Sequence, residues 1–396
     1  MSDKGSSKDL PDAEKQDKKF DTKLIHFGGE VDSATGASSV PIYQASTFHH
    51  HDIYNPPSYD YSRSGNPTRQ ALEDYITVLE GGQRGFAFSS GMAAISTTFM
   101  LFSAGDHMIV TEDVYGGTYR LLTGILNRFG IEATFVDMTQ IDEVKAALKP
   151  NTKAVYLETP SNPTLKITDI AAVTEWAHAH DLLSILDNTF MTPYYQRPIE
   201  QGVDIVLHSA TKFLGGHSDV LAGLAVTRTE SLGRKLKYMQ NGLGTVLGAQ
   251  DSWLLMRGMK TLGARMAHSE KSAGKLAEWL SRRSDIQAVF YPGLAEHPGR
   301  EIHEKQSKGY GAVVSFDVGS GERAKQVLSS VKLPLVAVSL GAVESILSYP
   351  AMMSHASMPQ DVRHERGITD GLLRFSVGLE DIDDLIADLK QALEQS

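Results

Sequence analysis

A lysine stands beside two hydroxyls in Ser209-Ala-Thr-Lys212, at the mouth of the loop Phe213-Leu-Gly-Gly-His-Ser-Asp219. It follows the apolar run Val203-Asp-Ile-Val-Leu207, which reads as a buried strand. A lysine at the end of such a strand is partly desolvated, which lowers its pKa and leaves a neutral amine able to form a Schiff base. The hydroxyls of Ser209 and Thr211 can meanwhile hold a phosphate. An amine for an aldehyde, together with donors for a phosphate, is what pyridoxal 5'-phosphate (PLP) requires. Two other readings stay open for the motif alone. Ser-x-x-Lys is also the nucleophile motif of penicillin-binding proteins and class A β-lactamases, although the partner motifs Ser-Asp-Asn and Lys-Thr-Gly are missing here. A surface lysine after a strand is the third.

Other residues supply the remaining chemistry. Asp187 closes a hydrophobic run and precedes Asn188-Thr-Phe190. A buried carboxylate there needs a cationic partner, and a protonated pyridine nitrogen is one; a turn or helix-cap aspartate is the alternative. Ser89-Ser-Gly-Met92 follows a short apolar strand and opens a helical stretch, so the amides of Gly91 and Met92 form a phosphate site, or else the serine is a plain cap. Tyr115 sits in Asp113-Val-Tyr-Gly-Gly-Thr118, where glycines let the backbone approach a ligand. Its ring can stack on a pyridine and its hydroxyl can exchange a proton with a substrate amine; it reads equally as a core or interface tyrosine. Tyr61 and Arg63, in Tyr61-Ser-Arg-Ser-Gly-Asn-Pro-Thr68, add a phenol and a guanidinium suited to phosphate, or a charged surface turn. Arg374 interrupts an apolar strand and suits a substrate α-carboxylate, or a structural acid.

The elements that must carry these residues alternate between strand-length apolar runs and helical periods from about 64 to 260. Strands are expected at Phe86–Phe88, His107–Thr111, Glu132–Val136, Lys153–Leu157, Leu182–Leu186, Asp204–Leu207 and Ala222–Val226, with helices at Thr68–Leu79 and Ile170–His180. That alternation predicts an α/β fold with a mainly parallel sheet, whose ligands bind beyond the carboxyl ends of the strands. Glu158, Asp187 and Lys212 all fall there. Residues 1–20 read as a polar tail and 21–63 as an extended arm that wraps a neighbouring subunit. Residues 64–260 form the large cofactor-binding domain. The remainder, 261–396, reads as a smaller α/β domain: a helix at Met266–Arg283, strands at Ala288–Tyr291, Ala312–Phe316, Pro334–Val338 and Leu373–Val377, and a closing helix from Asp381 to about Leu393.

Composition narrows the functional classes. The chain has 396 residues, 41% of them hydrophobic, enough for a large core. A formal charge of -10 without a basic block argues against nucleic acid and anionic membranes as partners. No apolar run approaches a membrane span and the first residues lack a signal-peptide core, so the cytoplasm is the expected address. With no cysteine, disulfides, thiolate catalysis and cysteine-built zinc sites are excluded. The run His49-His50-His51 lacks a suitably spaced carboxylate partner, and no metal site is expected.

Taken jointly, these stretches resemble the cysteine/methionine metabolism PLP-dependent family of fold type I, from about Phe20 onward. Glu158-Thr-Pro-Ser-Asn-Pro163, Asp187-Asn-Thr189, Ser339-Leu-Gly341 and Leu373-Arg-Phe-Ser-Val-Gly-Leu-Glu380 carry the likeness alongside those already quoted. The resemblance implies that Lys212 binds PLP covalently and serves as the base at Cα of an amino-acid substrate. It implies that Asn162, Ser339 and Arg374 hold the substrate carboxylate, and that Glu158 supports the Asn162 loop. It further implies that Tyr61 and Arg63 reach the neighbouring subunit's cofactor, in a dimer or a dimer of dimers. Many γ-eliminating members carry a glutamate where this chain has Val338, and methionine γ-lyases carry a cysteine at Gly117. The implied activity is therefore carbon–sulfur lysis of the cystathionine β-lyase kind. The alternatives are γ-lyase or dual activity, synthase or sulfhydrylase chemistry on an activated homoserine, and a non-catalytic PLP-binding protein.

Overall fold

The computed structural model describes residues 18–27, 31–356 and 358–396, so most of the expected tail lies outside the described residues. Seven strands form the first sheet: β1 (Arg84–Phe88), β2 (His107–Thr111), β3 (Glu132–Val136), β4 (Thr152–Glu158), β5 (Leu183–Asp187), β6 (Ile205–Ser209) and β7 (Gly223–Thr227). Their order across the sheet is β1-β7-β6-β5-β4-β2-β3. Strands β6, β5, β4, β2 and β3 run parallel. Helices flank them, as parallel crossovers require. The helix Pro67–Glu80 starts at an Asn66 cap and ends at Gly81 in the left-handed conformation; the helix Ile170–Ala179 is capped by Asp169.

Strand β7 departs from the parallel pattern, pairing antiparallel with both β6 and β1. The reason lies in the connection. Residues 210–222 contain no crossover helix and fold back as a tight turn, with Gly215 N donating to Ala210 O (2.8 Å) and Gly216 N to Lys212 O (2.8 Å). A chain that turns without crossing the sheet returns antiparallel.

A second sheet holds β8 (Ala288–Phe290), β9 (Val313–Asp317), β10 (Leu335–Val336), β11 (Ile346–Ser348) and β12 (Leu372–Ser376), in the order β10-β11-β12-β9-β8. Only β10 and β11 run parallel. Strand β11, three residues long, lies where sequence reading placed none; it is too short to show a period. Strand β10 is shorter than expected, because after Val336 the chain leaves the sheet edge for Ser339, whose φ is 96°.

The long helix spans Leu262–Ser281, starting four residues before the expected Met266. Its first turn contains Arg265, buried, which donates to the carbonyls of Phe213 (2.7 Å), Gly258 (2.9 Å) and Leu214 (3.4 Å). A charged residue on the inner face conceals the helical period. Arg265 thereby pins the turn that carries Lys212. Among the described residues, the segment expected as an arm holds the short helix Phe20–His26 and an isolated bridge between Thr47 and Tyr61, and its Ile53 and Tyr54 stand 76% and 86% exposed. Among the described residues, no helix is long and apolar enough to cross a membrane.

Arg265→Leu leaves the carbonyls of Phe213 and Leu214 unpaired at the Lys212 turn, each costing about 1–3 kcal/mol when buried, whereas Gly258 O keeps the amide and hydroxyl of Thr261. Chemical denaturation of the variant should show a loss of at least about 2 kcal/mol in unfolding free energy; a loss below about 1 kcal/mol would mean that the turn is held by other contacts.

Candidate active site

The carboxyl ends of β4, β5 and β6 open into a cavity of about 400 Å³, closed on its far side by segments of the second sheet. Gly91, Met92, Tyr115, Asn162, Asp187, Ser209, Thr211, Lys212, Val338, Ser339 and Arg374, singled out from the sequence, all line it.

At one end sits an anion cradle. Ser90 caps the helix Gly91–Phe99, its hydroxyl accepting from Ala93 N at 3.0 Å. The amides of Gly91 and Met92 have no carbonyl partner within that first turn. A Cβ on Gly91 would lie 2.9 Å from Ser209 Oγ, so only glycine lets the helix approach the Ser209 strand this closely. Ser209 Oγ makes no hydrogen bond among the described residues, whereas Thr211 Oγ1 accepts from Ala222 N at 3.0 Å. A helix N-terminus with an adjacent free hydroxyl suits a phosphate.

Asp187 and Glu158 stand in register at the ends of β5 and β4. Both are buried, at 9% and 6% exposure, and burial pushes both carboxyl pKa values up. Asp187 is drawn back by Thr189, whose amide (3.0 Å) and hydroxyl (2.5 Å) donate to Oδ1, and by the charge of His208. Glu158 is raised further by the charge of Asp187 itself, so of the two it holds a proton the more strongly. The Thr189 contact means that Asp187 also makes the turn that was its alternative reading. Glu158 Oε2 accepts the Tyr115 amide at 3.0 Å and steadies the Tyr115 turn as well as the Asn162 loop.

Lys212 Nζ donates to Ser339 Oγ at 2.6 Å. Its pKa is lowered to about 8, first by burial and then by the charge of Arg374. Arg374, on β12 and 3% exposed, donates from Nη1 to Asn162 Oδ1 (2.8 Å) and from Nη2 to Ser339 O (2.7 Å). Its Nε has no partner. No carboxylate lies within ion-pair distance of it among the described residues, so a structural acid does not account for this buried cation.

Several contributors were not apparent from sequence. Arg120 lines the cavity, exposed and without an ion pair or hydrogen bond among the described residues; as one charge in a helical turn it gave no signal. Asp113, buried within the Tyr115 motif, accepts from the hydroxyls of Ser161 and Thr164 and so fixes the loop that presents Asn162. A Cβ on Gly117 would lie 2.4 Å from the Tyr115 ring and 2.8 Å from Met92 Sδ, so a side chain there would displace Tyr115. Val338 is 63% exposed at the rim.

Tyr61 and Arg63 are not in this cavity. They line a separate one of about 470 Å³ with Ser46, Arg69 and Gly244. Arg63 donates to Asn241 O at 2.8 Å, and buried Arg69 fixes the segment by donating to the carbonyls of Ser62 (2.7 Å) and Arg63 (3.2 Å).

The donor set fits PLP: a helix N-terminus and hydroxyls for a phosphate, a buried carboxylate for a ring nitrogen and an amine of lowered pKa for an aldehyde. Comparison with known proteins agrees. The chain is 60% identical over 376 residues to cystathionine beta-lyase MetC of Bacillus subtilis (strain 168), covering 95% of this chain and 96% of that one. It is 55% identical to cystathionine gamma-lyase of the same organism, over 94% of this chain and 98% of the other. The structure of cystathionine gamma-lyase from Lactobacillus plantarum complexed with L-serine superposes with a TM-score of 0.94 at 51% identity, covering 96% of this chain and 99% of that one. The profile of the family described as Cys/Met metabolism PLP-dependent enzyme matches residues 21–394, and the chain belongs to that family.

Proposed function

We propose that this chain is a cystathionine β-lyase, converting L-cystathionine and water to homocysteine, pyruvate and ammonia. The observation that carries this reading is the pairing of Lys212, its pKa lowered to about 8, with Arg374, buried and without a carboxylate at ion-pair distance among the described residues, in one cavity. One is a base and the other a carboxylate receptor.

When bound, PLP supplies an aldehyde that captures an amine and a ring that takes up the electron pair left at Cα. Ser209, Thr211 and the amides of Gly91 and Met92 hold its phosphate, Asp187 its ring nitrogen and Tyr115 its ring face. Arg374 grips the substrate α-carboxylate together with Asn162 and Ser339. That grip directs the Cα–H bond toward Lys212, whose Nζ already reaches Ser339 Oγ. Lys212 removes the α-proton and Tyr115 exchanges a proton with the substrate amine. The bond from Cβ to sulfur then breaks, sulfur leaving with the electron pair and taking up a proton as the homocysteine thiol, and water hydrolyses the released aminoacrylate to pyruvate and ammonia. Glu158, its carboxyl pushed up by burial and by Asp187, holds the Tyr115 turn and yields its charge to Asp187.

Arg120 receives the distal carboxylate of cystathionine at the mouth of the cavity, which explains a guanidinium there without a protein partner. Val338 favours β-elimination, because an apolar rim residue offers no acceptor for the distal ammonium and no proton relay toward Cγ. The γ-eliminating alternative keeps the support of the two γ-lyases among the chain's relatives. Tyr61 and Arg63, placed away from their own protomer's cavity, complete the phosphate site of a neighbouring subunit. Their separate cavity and the exposed arm support that assignment.

Three outcomes test this reading. Purified protein supplied with PLP and L-cystathionine should yield pyruvate and homocysteine in excess over 2-oxobutyrate and cysteine, and Val338→Glu should shift the ratio toward the latter pair; dominant 2-oxobutyrate from the unaltered chain would overturn the β assignment. Capture of PLP by apoprotein, followed by absorbance, should accelerate as pH rises through about 8, because the neutral amine is the competent form. A rate independent of pH between 7 and 9 would remove Lys212 from that role. Arg120→Ala should raise KM for cystathionine by about tenfold, the worth of one charge-assisted contact, and leave KM for a β-substituted alanine lacking a distal carboxylate within roughly twofold. Equal effects on both substrates would refute the assignment.

A further inference from the structure

Behind the cavity lies a buried pair that no step above uses. Glu80 and His208 are 0% and 1% exposed, and His208 Nε2 donates to Glu80 Oε1 at 2.6 Å. The same oxygen accepts Asn188 Nδ2 at 3.1 Å. Glu80 Oε2 and His208 Nδ1 have no partner. Glu80 is the last residue of the helix Pro67–Glu80, where the helix dipole disfavours an anion. A buried, half-satisfied carboxylate at the wrong end of a helix is costly to the fold.

Its position explains what the cost obtains. Asn188 follows Asp187 at the end of β5, and His208 precedes Ser209 at the end of β6. One carboxylate oxygen thus ties together the two strand ends that carry the candidate ring-nitrogen partner and the candidate phosphate and lysine segment. The tie continues outward: Asn188 Nδ2 also donates to Gln196 O (2.8 Å), and Gln196 Nε2 donates to Thr159 O (3.0 Å), next to the Asn162 loop. The charge matters too. Asp187 has Glu158 in register on one side, and Thr189 and then the charge of His208 draw its carboxyl back toward the ionised form.

We propose that Glu80 and His208 form a positioning pair for the cofactor: Glu80 clamps the ends of β5 and β6 and orients His208, whose charge sustains the interaction of Asp187 with the ring nitrogen. The pair touches neither substrate nor cofactor, and acts through Asp187. This inference rests on the reading that Asp187 faces the ring.

The test compares Glu80→Gln, which keeps the shape and drops the charge, with Asp187→Asn. In Glu80→Gln, titration of apoprotein with PLP should show a dissociation constant about tenfold higher, and the pH midpoint of the bound cofactor's absorbance should move by about one unit, the equivalent of tenfold. The value of kcat should fall while KM stays within roughly twofold, because the carboxylate grip of Arg374 is untouched. A soluble Glu80→Gln protein with wild-type affinity and midpoint would overturn the proposal. If that variant fails to fold, the uncharged double variant Glu80→Gln/His208→Gln is measured in the same way. Failure of both to fold would assign the pair to folding alone and equally overturn it. Asp187→Asn separates the two levels of argument: an unmoved midpoint there sinks the reading of Asp187, whereas a shift there with none in Glu80→Gln sinks only this inference.

Discussion

A buried guanidinium with no carboxylate at ion-pair distance among the described residues holds the two halves of the site in register. Arg374 comes from the second sheet, and its two bonded nitrogens reach Asn162 on a loop of the first and Ser339 on a segment of its own. Burying an arginine among neutral oxygens is expensive, since carbonyl dipoles return only part of the lost hydration. The outlay leaves a cation with unspent capacity facing a cavity of about 400 Å³. Its charge also reaches Lys212 and helps to keep that amine from protonating. One buried cation thereby serves lysine reactivity and the seating of one sheet against the other, and, in the function proposed above, carboxylate recognition.

Negative charge is arranged with equal care. Two carboxylates end neighbouring strands in register, which would be repulsive if both were ionised. Burial and the neighbouring Asp187 both raise the Glu158 carboxyl, which binds the Tyr115 amide. Asp187, also raised by burial, is drawn back toward its ionised form by Thr189 and His208. The parallel sheet makes this possible, because adjacent strand ends place side chains from distant parts of the chain at one level.

Much of this was legible in the sequence because it depends on local pattern. Apolar runs located β2 and β3 at the residues they occupy, and turn glycines flagged Gly91 and Tyr115. What escaped notice depends on neighbours remote in sequence. Arg265 stands just outside the expected helix and acquires its meaning only from the Lys212 turn folded against it. Glu80 reads as a helix-end glutamate until β5 and β6 close over it, and Arg120 acquires a meaning only from the cavity beside it. The reversed direction of β7 followed from the missing crossover helix, which the glycine-bearing loop hinted at but did not specify.

The hydrophobic clusters behind the cavity have a mechanical consequence. Leu373 and Phe375, flanking Arg374, belong to a cluster of the second sheet, whereas Leu186 and Val206, beneath Asp187 and Ser209, belong to one of the first. Val313 of β9 and Leu340, beside Ser339, join the cluster of the first sheet and stitch the sheets together. Close-packed interiors transmit strain, so a volume change in this seam displaces both walls of the cavity together.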